Sequence, residues 1–88
     1  HMPIDTQVNI VEETDQRNHK LDIIANDRPG LLASLARILL LLNIEVHNAK
    51  INTLGNRAED SFIVSSQKGQ ALTAQNINAL KAAILAEI

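Results

Sequence analysis

Apolar residues recur at two different spacings along the 88-residue chain, and the switches between them mark its elements. Val8 and Ile10 alternate with Asn9 and are followed by Val11, which predicts a short strand over 7–13. The run from Glu12 to His19 holds no apolar residue and reads as a turn or loop. Alternation returns at Leu21, Ile23 and Ala25, so a second strand over 20–26 is expected to form an antiparallel hairpin with the first. The period then lengthens. Leu31, Leu35, Ile38 and Leu42 fall on one stripe, with Leu32 and Leu39 beside it, and predict a helix over about 30–42.

Asn43 ends that helix, and 44–53 reads as a strand whose parity shifts: Ile44 and Val46 share one face, whereas Ala49 and Ile51 share the opposite parity. A bulge or twist near His47 reconciles the two. Leu54-Gly55-Asn56-Arg57 is a hairpin connection, and 58–66 is the next strand, with Phe62 and Val64 facing one way and Ile63 the other. After a loop around Gly69, Thr73 is placed to cap a last helix over 74–87, with Ile77, Leu80, Ile84 and Leu85 on its buried stripe. The order is ββαββα. It matches most of a ferredoxin-like βαββαβ domain whose final strand is missing, and the extra first strand fits the vacant slot. An α+β fold is predicted, a four-stranded antiparallel sheet with both helices on one face and the other face solvated or covered.

The first helix carries more apolar surface than one sheet needs. Only Ser34 and Arg37 mark a clearly polar side, and Leu40 and Leu41 widen the apolar arc. Scattered exposed leucines are common, but a second contact with a partner subunit or neighbouring domain is favoured here.

Composition narrows the function. A chain this short is one domain, burying about 60 to 65% of its unfolded surface, so its stability margin is small. It is 45% hydrophobic, yet Phe62 is the only aromatic residue, which removes the stacking platforms that single-stranded nucleic acid needs. A net charge of −2 without a Lys/Arg cluster argues against nucleic acid and anionic membranes as partners. There is no cysteine, hence no disulfide framework or zinc-thiolate site, in keeping with a cytoplasmic setting. The longest apolar run, 38–42, is far too short to span a bilayer, and no signal peptide is expected. His1-Met2 reads as an expression-tag remnant, leaving a single domain over 3–88 excised from a longer protein.

The candidate site is the strand-to-helix turn Ala25-Asn26-Asp27-Arg28-Pro29-Gly30-Leu31-Leu32. Asp27 offers a side-chain oxygen to the first amides of the helix, and Pro29 presets its φ near the helical value. Gly30 lets a backbone or small ligand approach, and the free amides of the first turn suit a carboxylate. A capped helix start with no ligand accounts for the same residues equally well.

Asn26-Asp-Arg-Pro-Gly-Leu-Leu, a helix, and then Asn43-Ile-Glu-Val-His-Asn-Ala-Lys-Ile-Asn-Thr together resemble an ACT domain, the small module that binds amino acids in many metabolic enzymes. Thr53-Leu-Gly-Asn-Arg-Ala-Glu-Asp-Ser-Phe-Ile-Val, with His47 and Ala49, narrows the likeness to the C-terminal ACT domain of bacterial bifunctional PII uridylyltransferase/uridylyl-removing enzymes. The resemblance covers 7–88, including the extra leading strand in the place of the usual last one. It implies an effector site on Asn26, Asp27, Arg28, Pro29, Gly30, Leu31 and Leu32, completed by Asn43, Ile44 and Val46 of a neighbouring domain. It further implies glutamine as effector, a homodimer or pairing with another ACT domain, and a parent enzyme that acts on the PII protein. The related pattern has Gly-Glu-Arg where this chain has Gly55-Asn56-Arg57, a change in a hairpin tip.

Chemistry of other kinds finds little support. His19 and His47 have no second ligand at metal spacing. Glu59 and Asp60 are adjacent on a strand, point to opposite faces and cannot act together on one substrate; a hairpin or sheet-surface role is expected for them. No serine sits in a nucleophile elbow and no phosphate-binding loop is present. No catalytic residue, metal or cofactor is expected. The leading class is thus a ligand-sensing regulatory module. A ligand-free dimerisation or docking module of another metabolic or stringent-response enzyme is the alternative, and a small enzyme of the acylphosphatase kind trails both.

Overall fold

The computed structural model describes residues 3–88, so the reading of His1-Met2 as a tag remnant lies outside the described residues. Six main elements follow the predicted order: β1 (Gln7–Glu12), β2 (His19–Asn26), α1 (Leu31–Leu41), β3 (Glu45–Leu54), β4 (Arg57–Ser65) and α2 (Ala74–Glu87), with a short 3-10 turn at Gln67–Gly69. All strand pairs are antiparallel and the sheet order is β1-β2-β4-β3. The fold is α+β and ferredoxin-like. β1 and β3 are the edges; α1 lies over β3, α2 over β1, and the helices touch each other.

One apolar cluster holds these layers together. Leu21, Ile23 and Ala25 of β2 and Ala58, Phe62 and Val64 of β4 meet Leu31, Leu35, Ile38 and Leu39 of α1 and Leu80 and Ile84 of α2. Because strand side chains alternate, the opposite sheet face carries Lys20, Asp22, Glu59 and Ser61, where Ser61 Oγ donates to Asp22 Oδ1 at 2.7 Å.

Local signals explain the element ends. The parity shift in β3 is a register irregularity between Val46 and Asn48, so Val46, Ala49 and Ile51 stand opposite Val64, Phe62 and Asp60 on the helix side. His47, the extra residue, reaches Ser65 Oγ at 2.7 Å. Ser65 Oγ gives its own proton to the Ser66 carbonyl, so His47 Nε2 is the donor in that pair. Asn43 closes α1 in the left-handed region at φ 57: its amide bonds the Leu40 carbonyl and that of Ile44 bonds Leu39, which is the Schellman arrangement. At α2, Thr73 accepts from the Asn76 amide and the Asn76 side chain accepts from the Thr73 amide, a reciprocal capping box.

Four expectations are corrected. Asp27 does not cap α1: the N-cap is Gly30, at φ 83 and ψ 2, without a side-chain cap bond. Pro29 and Gly30 form the corners of a type II turn closed by the Leu31 amide on the Arg28 carbonyl at 3.2 Å, which turns the chain before Asp27 can reach the helix. Leu85 is 53% exposed rather than buried, because the buried arc of α2 is narrower than its apolar one. His19 begins β2, sharing the parity of Leu21, and is buried rather than ending a solvated loop. Asp60 is buried too, not a surface residue of the hairpin.

Candidate functional site

The type II turn leaves the start of α1 open. Ser34 is the first residue to make the helical bond, to the Gly30 carbonyl at 2.9 Å; the amides of Leu32 and Ala33 have no acceptor among the described residues. These are orphan donors at the positive end of a helix dipole. They border a hollow of about 350 Å³ lined by Asp27, Arg28, Gly30, Leu31, Leu32 and Ala33 on one side and by Ile51, Thr53, Ala58 and Asp60 on the other.

Two carboxylates enter this lining. Asp27 is exposed at the rim, and its backbone amide is fixed to the Asn56 carbonyl at 2.9 Å, which ties the turn to the β3–β4 hairpin. Asp60 lies on the helix side of β4 and is only 3% exposed. Its Oδ1 accepts from the Asn52 amide at 3.3 Å. Burial, the largest influence, pushes its carboxyl above the ordinary value; the Asn52 amide opposes this, and the charge of Asp27 adds to it. Arg28, the one cation among the described residues of the lining, turns its guanidinium to the carbonyls of Pro29 and Glu87, at 3.4 and 3.5 Å.

The residues expected to bind the effector are not gathered in one place. Asp27, Arg28, Gly30, Leu31 and Leu32 line the hollow; Asn26 is turned away, its side chain paired in both directions with the Ile4 backbone at 3.0 Å. Pro29 shapes the turn without lining the hollow. Asn43 and Ile44 border a separate depression with Leu40, Glu45, Gln67 and Lys68, beyond the far end of α1. Val46 faces an apolar groove of about 450 Å³ between α1 and β3, shared with Leu32, Leu40 and Ile51. An 11-residue helix is about 16 Å long, so one chain cannot bring Asn43 to its own turn.

No family model matches the chain. Among curated proteins, it is 42% identical over 88 residues to the bifunctional uridylyltransferase/uridylyl-removing enzyme of Legionella pneumophila (strain Corby), covering all of this chain and 10% of that enzyme. Enzymes of the same name from Psychrobacter arcticus and Haemophilus influenzae are 40% identical over 85 residues and 36% identical over 88, covering 97% and 100% of the chain and 9% and 10% of themselves. The chain is an ACT domain, most like the C-terminal ACT domain of these enzymes.

This ACT domain thus spans about a tenth of the curated relatives it matches. Sequence reasoning named its turn but read Asp60 as a hairpin or sheet-surface residue. The signal was there: Asp60 shares strand parity with Ala58, Phe62 and Val64, all core residues, whereas Glu59 points to the open face and pairs with Arg57 at 2.7 Å. Among the described residues, no helix is long and apolar enough to cross a membrane.

Proposed function

We propose that this ACT domain is the regulatory, amino-acid-sensing part of a cytoplasmic PII uridylyltransferase/uridylyl-removing enzyme that controls nitrogen assimilation, with glutamine as its effector. The domain has no active site of its own; the parent enzyme acts on the PII protein. The observation that carries this reading is the hollow in which unpaired helix amides and carboxylates stand together, since an amino acid presents one group for each. The site is completed by pairing, in a homodimer or with another ACT domain, so that Asn43, Ile44 and Val46 of the neighbour meet the turn. Ligand across such a junction couples binding to pairing, typically by about 1 to 3 kcal/mol.

The test is the melting temperature with and without millimolar L-glutamine, with glutamate and serine as controls, while light scattering follows the oligomeric state. Ligand at 100 times its dissociation constant adds about 2.7 kcal/mol, and each kcal/mol shifts a domain of this size by about 4 to 8 °C. A glutamine-selective rise, lost in Gly30→Val, is expected. A second reading, a ligand-free pairing module, draws on the exposure of Leu40 and Leu41, 76% and 71%. A stable dimer with no shift for any amino acid would select it.

A further inference from the structure

Asp60 is a buried acid without a counter-ion. It keeps 3% of its surface, and among the described residues no Lys, Arg or His nitrogen pairs with it: the ion pairs are Lys20–Asp22, Arg37–Glu87 and Arg57–Glu59. A single amide, that of Asn52 at 3.3 Å, serves a carboxylate that can accept about four hydrogen bonds. Buried charges are ordinarily paired, and leaving one unpaired costs free energy. Asp60 faces the hollow at the turn, where the only cation among the described residues of the lining, Arg28, is directed elsewhere.

We infer that Asp60 is the acceptor for the ammonium group of the bound amino acid, and the residue that makes the site select ligands with a free amino group. This rests on the amino-acid-binding reading above and adds a residue from β4 to a site otherwise built on the turn. The ligand's carboxylate meets the open Leu32 and Ala33 amides, and its ammonium supplies the positive charge that Asp60 lacks. Both poles of the zwitterion are then met inside one hollow, leaving the side chain to face outward, toward the partner domain. A low-dielectric floor makes this contact count for more than one at the exposed Asp27. It also lets the ligand bridge α1 to the β3–β4 hairpin, the two parts of the lining.

Calorimetry on the 88-residue chain with L-glutamine and with 4-carbamoylbutanoate, which is glutamine without its amino group, tests the assignment, alongside carbon-13 NMR of the Asp60 carboxyl. Glutamine is expected to move the Asp60 resonance and to bind at least about tenfold more tightly than the analogue; Asp60→Asn should lose about that factor for glutamine and no longer tell the two apart. A folded Asp60→Asn protein that keeps wild-type affinity and discrimination would overturn the role of Asp60 while leaving the sensor standing. If that variant does not fold, the wild-type chain decides: a carboxyl resonance unmoved by bound glutamine overturns the assignment. Failure of the wild-type chain, at concentrations where light scattering shows it paired, to bind glutamine or any other common amino acid overturns the sensor reading itself, and the role of Asp60 with it.

Discussion

The amide of Asp27 is bonded to the carbonyl of Asn56 at 2.9 Å, which ties the turn before α1 to the tip of the β3–β4 hairpin. The hairpin tip is therefore part of the site's frame rather than remote from it. Since Asn56 uses its backbone carbonyl here, a change of its side chain leaves this bond available. Shortening or lengthening the tip does not, and deleting Asn56 is expected to abolish the glutamine-dependent rise in melting temperature.

Gly30 sits at φ 83 with only the Arg28 Nη1 atom near the place of a Cβ, at 4.0 Å. The cost of Gly30→Ala is thus backbone strain rather than a clash, about 1 to 2 kcal/mol. A loss of roughly 4 to 16 °C in the thermal midpoint is expected. Gly55→Ala, also at positive φ with nothing near it, should cost a similar amount.

On α2, Leu80 is fully buried and Leu85 is 53% exposed. Leu80→Ala should destabilise the domain by about 2 to 5 kcal/mol, a large part of its total stability. Leu85→Ala should stay within about 0.5 kcal/mol. Thr73→Ala, which removes one half of the capping box, falls between them at about 1 kcal/mol. Urea titrations of the three variants give the ranking.

The two perturbed acids have opposite effects on acid stability. Asp60 has its carboxyl raised by burial, so the folded state holds that proton more tightly than the unfolded chain; its contribution is full below the ordinary value of 3.8 and is lost as pH rises through the raised one. Asp60→Asn should therefore raise the melting temperature of the ligand-free domain at neutral pH, and the gain should vanish in strong acid. Asp15 has its carboxyl lowered, first by the Asn18 amide and then by that of Arg17; its contribution is present above 3.8 and is lost as pH falls through the lowered value. Asp15→Ala should weaken the β1–β2 hairpin at neutral pH and matter less in acid. Melting curves across pH 2 to 8, a span of about six units around the usual carboxylate range, separate the two.

Leu40 projects into the groove between α1 and β3 while 76% exposed in the single chain. Leu40→Asp is expected to leave the monomer's stability within about 0.5 kcal/mol and to weaken self-association at least about tenfold by sedimentation. Unchanged association would move the pairing surface off this groove.

Periodicity carried most of the fold. The β3 bulge, the hairpin at Gly55 and the Thr73 cap were all legible because each rests on a local rule: a parity break, a turn glycine, a capping hydroxyl. Asp27 misled because capping preference and turn geometry compete, and the Pro29-Gly30 pair favours the type II turn over a helix starting at Arg28. His19 and Asp60 were hidden for another reason. Polar residues in a strand read as surface by chemistry, while strand parity puts both on the core side, where His19 Nδ1 has no partner among the described residues. The candidate site was half legible: the turn is contiguous, but the opposite wall of its hollow comes from β3 and β4, later in the chain.

The irregularity at His47 also bears on how two copies can meet. All ten residues of β3 are exposed, so this edge offers its backbone to another strand. A regular edge would accept a partner at any even offset, each with the same side chains up and down. With the bulge, sliding by two residues sets a kink against straight backbone, and the ladder fails on one side or the other. An identical strand added at this edge would thus fit like a key cut with one notch, at a single offset, and the staggered stacking from which open-ended filaments grow would be disfavoured.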